Sequence, residues 1–178
     1  MDAIRVLALT PDFPPARGGI QVLVHRLVRH ADRLQTRVVA RSSPGSQGFD
    51  RAESLDIRRA GRAGAGPASN LPLNARGLYE ARRFRPDVVL SGHDHSYERF
   101  APQTPAGASD AVRGIREFVV GTGGKSHYAL TSLKANSEVF NGETYGVLKM
   151  TLSASSYAWQ FVPVPGSTFT DSGTAQCH

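Results

Sequence analysis

Ile4 to Leu9 is an apolar run broken only by Arg5. A short unbroken run of this kind reads as a buried strand. Thr10 to Gly19 follows as a loop, punctuated by Pro11, Pro14, Pro15, Gly18 and Gly19. From Ile20 to Leu34 the pattern changes period. Val22, Val24, Leu27, Val28, Ala31 and Leu34 recur at helical spacing. Thr36 to Ala40 is a second strand, 42–54 a Gly/Ser-rich loop, and Leu55 to Arg59 a short third strand. The segment Gly61 to Pro67 reads as flexible, and Asn70 or Asn74 as the cap of a helix running to about Phe84. Arg85-Pro86-Asp87 stops that helix, and Val88 to Ser91 is another buried strand.

Beyond residue 91 the style becomes all-β. A Pro/Gly/Ala loop over 101–114 leads to a strand, Glu117 to Val120, and then Gly121-Thr122-Gly123-Gly124. Tyr145 to Leu152 and Tyr157 to Val162 alternate as an antiparallel pair about a Ser153–Ser156 turn. Pro163 to His178 is expected to be irregular. Strand–helix alternation in front demands parallel pairing through right-handed crossovers. The expected class is therefore α/β: a partial Rossmann-like parallel sheet continued by antiparallel β-strands into a mixed sheet. The expected division is 1–90 and 91–178, built as two parts or as one fused core.

Charge sharpens the division. Residues 1–90 hold 15 Arg, no Lys and 8 acidic residues, net +7, whereas 91–178 are net −1. The arginines are scattered with no interleaved aromatics, so a solvated basic surface is favoured and no nucleic-acid partner is expected. A hydrophobic fraction of 40% suffices for a core. No apolar run reaches the roughly 18 residues of a membrane span. The first residues do not read as a secretory signal, which leads to an expected cytoplasmic location. The single Cys177 excludes an internal disulfide.

Two stretches carry candidate chemistry. Gly18 and Gly19, with Arg17 beside them, sit between the first strand and the first helix. Glycines there let backbone N–H groups approach an anion, and the helix dipole favours it. The second stretch is Gly92-His93-Asp94-His95-Ser96-Tyr97-Glu98-Arg99. Two imidazoles at a strand exit, with Asp94 between them, suit a divalent or transition metal such as Zn, Fe or Mn. His127 follows the glycine turn and would lie near that loop. His25 and His30 read as surface or interface residues of the first helix.

Both stretches resemble known families. Thr10 to Gln21, with Arg85-Pro86-Asp87-Val88-Val89-Leu90, resembles the N-terminal domain of GT-B retaining glycosyltransferases of the phosphatidylinositol mannosyltransferase type, over residues 3–92. The resemblance implies a nucleotide-sugar, phosphoester or phosphoinositide ligand at Gly18, Gly19 and Arg17. Gly92 to Arg99, Phe118 to Gly124, Asn141 to Lys149 and Phe161 to Val164 resemble the C-terminal part of calcineurin-like metallophosphoesterases of the purple acid phosphatase type, over 88–178. That resemblance implies metal ligation by His93 and His95, with Tyr97, Glu98 and Arg99 supporting the loop. Residues 1–90 contain no Asp-x-His, Gly-Asp-x-x-Asp or Gly-Asn-His-Asp/Glu, the remaining ligands of such a site. The combined expectation is a hybrid without a complete active site, binding at most one metal weakly. The alternatives are a degenerate metal-dependent phosphoesterase and a phosphate- or acceptor-binding module. Exposed apolar patches would favour self-association.

Overall fold

The computed structural model describes residues 4–31, 33–62, 70–128 and 132–178. The chain divides into two compact units, Met1–Arg85 and Pro86–His178. It is α/β, with a parallel sheet in the first unit and a mixed and an antiparallel sheet in the second.

The first unit contains β1 (Ile4–Thr10), α1 (Gly19–Arg29), β2 (Leu34–Ser42), α2 (Ser46–Ala52), β3 (Asp56–Arg62) and α3 (Leu71–Phe84). Its strands pair in parallel in the order β1-β2-β3, with Ile4 opposite Leu34 and Val38 opposite Ile57. One face is apolar. Phe13, Val38 and Ala40 are buried there against Ala8, Val24, Val28, Phe49, Leu55 and Ile57. On the other face Arg37 bonds Glu80 of α3 at 2.8 Å, and Arg76 reaches the same carboxylate at 2.6 Å. Burial pushes the Glu80 carboxyl up; hydrogen bonds from the two guanidinium groups outweigh it and hold it below the usual range.

Several elements depart from the periodicity. α1 ends at Arg29, short of Leu34, because Leu34 already pairs with Ile4 in the sheet. His30 closes the helix, with its ring Nδ1 at 2.8 Å from the Arg26 carbonyl. α2 lies where a Gly/Ser-rich loop was expected. Its formation follows from Phe49 packing edge-on against Phe13, a contact that outweighs poor helix propensity. His25 is not a surface residue. Its ring packs between Phe13 and Phe49, with Nε2 at 3.2 Å from Glu53. Asn70 is the N-cap of α3, without a capping side-chain bond, and Pro72 stands in the first turn. Residues 63–67 of the expected flexible segment lie outside the described residues.

The second unit contains β4 (Val88–Ser91), β5 (Tyr97–Phe100), β6 (Arg116–Val120), β7 (Ser137–Asn141), β8 (Gly146–Leu152), β9 (Ser156–Pro163) and β10 (Ser172–Gln176). Parallel and antiparallel strands share one mixed sheet here, as expected, with β5 antiparallel to both β6 and β7, whereas β1, β2 and β3 pair in a sheet of their own. β4 pairs in parallel with β6, within the order β4-β6-β5-β7. The hairpin β8-β9 forms as its alternation predicts, and β10 adds to β9 where an irregular tail was expected. The alternation that marks a strand is diluted in β10 by Ser172, Gly173 and Thr174. An aromatic core joins the two sheets of this unit: Tyr97 and Phe118 pack with Tyr157, Trp159 and Phe161. Each such ring buried contributes about 1.5–3 kcal/mol.

Candidate functional site

The Gly92–Ser96 loop connects β4 to β5. His93 is exposed and holds left-handed backbone, φ 81°, which costs a non-glycine residue roughly 1–2 kcal/mol. Asp94 is exposed, His95 half-buried and Ser96 buried. The Ser96 N–H donates to the Asp94 carbonyl, and the Gly121 N–H donates to the Ser96 carbonyl, each at 2.9 Å. Gly121 is tightly seated, since a Cβ there would fall 1.8 Å from the Asp94 carbonyl oxygen. The glycine turn after β6 therefore forms the bed of the histidine loop.

His95 is the better-placed imidazole. Its Nδ1 lies 2.8 Å from the Ser126 carbonyl oxygen, and its ring stacks on Tyr128 at 4.2 Å and 16°. A carbonyl only accepts, so Nδ1 carries the proton and Nε2 presents its lone pair. That is the tautomer a metal-binding histidine needs, held by an outer hydrogen bond. His127 stands on the same segment, its ring 4.2 Å from Tyr145 and its Nε2 shielded without a hydrogen-bond partner among the described residues. His93, Asp94 and His95 share the loop. Among the described residues no three His, Cys, Asp or Glu side chains converge as a metal-ligand group.

Tyr97 and Arg99 point to another centre. The Tyr97 hydroxyl donates to Asp171 at 2.6 Å, Arg99 donates to the same carboxylate at 2.7 and 3.2 Å, and the Trp159 indole donates at 3.1 Å. Glu138 accepts from both Arg99 and Arg116. These groups support β5 and the aromatic core beneath the loop. Glu98 lies opposite Val119 and Phe140, with Oε1 shielded and no partner among the described residues. Ser126, Tyr128 and Asp171 escape a reading of local pattern. Ser126 acts through its backbone carbonyl, and Asp171 is 74 residues from Tyr97.

The glycine loop is braced from the strand ends. Arg41 donates to the Pro11 carbonyl at 3.1 Å. Arg59 bonds Asp50, the Arg41 carbonyl and the Pro14 carbonyl, and lies 5.6 Å from the Phe13 ring centroid. Gly18 is the N-cap of α1, with no capping side chain and no acidic residue in the first turn. Nothing lies within 4 Å of a Cβ built on Gly19, and Arg17 is exposed. The brace arginines were not singled out by the sequence pattern. Among 15 scattered arginines in residues 1–90, nothing local distinguishes them.

No family model matches the chain, and no curated protein matches it. Among solved structures, its fold is distantly similar to that of purple acid phosphatase PPD1 isolated from yellow lupin (Lupinus luteus) seeds. The TM-score is 0.48 and the identity 20%, over 89% of this chain and 28% of that one. The chain thus spans less than a third of that protein's length. No helix among the described residues is long and apolar enough to cross a membrane.

Proposed function

We propose that the chain is a hybrid of a glycosyltransferase-like front and a metallophosphoesterase-like rear, without a complete catalytic centre, whose remaining chemistry is weak binding of one transition metal at His93 and His95. The observation that carries this reading is the Nδ1 contact of His95 with the Ser126 carbonyl, which leaves Nε2 free as a donor. Imidazole nitrogen suits Zn, Fe or Mn. Two imidazoles, even with Asp94, fall short of the carboxylate-bridged pair that in-line phosphoester attack requires. Calorimetric titration with Zn²⁺ or Mn²⁺ should give one ion per chain, and His93→Ala/His95→Ala should abolish the heat. Hydrolysis of nitrophenyl phosphate should match that of the double variant. A metal-dependent rate lost in the double variant would replace this reading with a degenerate phosphoesterase.

A second reading is a nucleotide-sugar or phosphoinositide ligand at Gly18, Gly19 and Arg17. The uncapped, acid-free first turn of α1 favours it. Gly19→Val adds bulk where no atom stands within 4 Å, so it covers the amides without a clash. A ligand-induced rise in melting temperature that Gly19→Val removes is the expected result; no rise with millimolar ligand rejects it.

A further inference from the structure

The carboxyl ends of β2 and β3 open into a cavity of about 800 Å³ that includes none of the glycine-loop residues. Open parallel sheets take ligands at this end, and the volume falls within the range of small-molecule sites. Apart from Pro44, every lining residue is Ser, Gly, Gln, Asp or Arg.

Its three arginines differ in what they already bond. Arg59 is engaged by Asp50 and by two backbone carbonyls, so it holds the wall in place and neutralises the carboxylate. Arg51 and Arg62 are exposed and form no salt bridge among the described residues. Arg51 also answers the dipole at the end of α2, whereas Arg62, at the end of a strand, has no such role. The turn beneath them is rigid: the buried Ser46 hydroxyl donates to the Ser43 carbonyl at 2.7 Å and accepts the Ser43 N–H at 2.8 Å. Planar guanidinium forks match phosphate oxygens in pairs. The cavity is far larger than a phosphate needs, and the Ser43 hydroxyl and Gln47 amide suit hydroxyl groups on the remainder.

We propose that this cavity binds a small sugar phosphate, with Arg51 and Arg62 on the phosphate and Ser43 and Gln47 toward the hydroxyls. The proposal is independent of metal binding at His93 and His95 and of any ligand at Gly19. Gly48 supplies a clean block: a Cβ there meets nothing within 4 Å, and replacing glycine inside a helix favours that helix. The test is calorimetry on the full chain with glucose 6-phosphate, glucose and inorganic phosphate. Glucose 6-phosphate should bind at millimolar concentration, and Arg51→Ala/Arg62→Ala should weaken it about tenfold or more. Gly48→Leu should weaken it similarly without lowering the melting temperature. Glucose and inorganic phosphate should each bind more weakly than the ester. No binding of the ester, unchanged affinity in both variants, or equal affinity for glucose or inorganic phosphate would overturn the proposal.

Discussion

The Asp171 carboxylate accepts the Tyr97 hydroxyl, the Trp159 indole and two N–H groups of Arg99 within the second unit. Burial pushes its carboxyl up; the Arg99 and Tyr97 hydrogen bonds outweigh that and hold it below the usual carboxylate range. Asp171→Ala leaves a buried phenol, an indole N–H and a guanidinium without their acceptor, a loss of about 3–5 kcal/mol. Urea unfolding followed by fluorescence of Trp159, the single tryptophan, measures it, and a loss below about 1 kcal/mol would contradict the network's role. The pH dependence has a definite sign. A depressed carboxyl contributes stability above its unfolded value of about 3.9, and that stability is lost as pH falls through the folded value. Burial and then Asp171 raise the Tyr97 phenol, so its contribution is full below its unfolded value of about 10 and declines as pH rises beyond it. Asp171→Ala should flatten the acid limb. His95 shows the boundary of legibility at this scale. The HxH pair is visible in the chain, but its tautomer depends on a carbonyl 31 residues away.

Among the elements, β1, α3, β4 and the β8-β9 hairpin lie where apolar runs, periodicity and turn signals place them, but Leu9 of β1 and Val89 and Leu90 of β4 are exposed where buried strands were expected. α1 was legible as a helix, yet its covered face was not. Val24 and Val28 meet the core, while Ile20, Val22, Leu23 and Leu27 are exposed. Periodicity reports that a face is apolar, not what covers it. β5, β7 and β10 went unread because short strands owe their pairing to neighbours distant in sequence. The Gly121 turn carries the element-scale prediction. Gly121→Ala forces the Asp94 carbonyl aside and should cost about 1–3 kcal/mol. It should also weaken metal binding at the histidine loop. Unchanged stability and metal heat would show that the turn does not position the loop.

Across the whole molecule, each unit has its own buried cluster, one around Val38 and Phe13, the other around Phe118 and Phe161. The three helices among the described residues lie in the first unit and the single tryptophan in the second. Helical circular dichroism therefore reports the first unit and tryptophan fluorescence the second. Separately cored units predict two denaturant transitions that do not coincide. Coincident transitions by both probes would show cooperative unfolding of the chain.

The amino-acid sequence by itself determined the α/β class, most strand and helix positions, and the loops that carry Gly18, Gly19, His93 and His95. Those features depend on local periodicity, turn chemistry and residue type. Only the tertiary structure decided that β4 joins β6, that Asp171 gathers Tyr97, Arg99 and Trp159, and that Arg59 braces the glycine loop. Strand partnership and buried polar pairing are settled by groups far apart in the chain, and no local pattern encodes which of them meet.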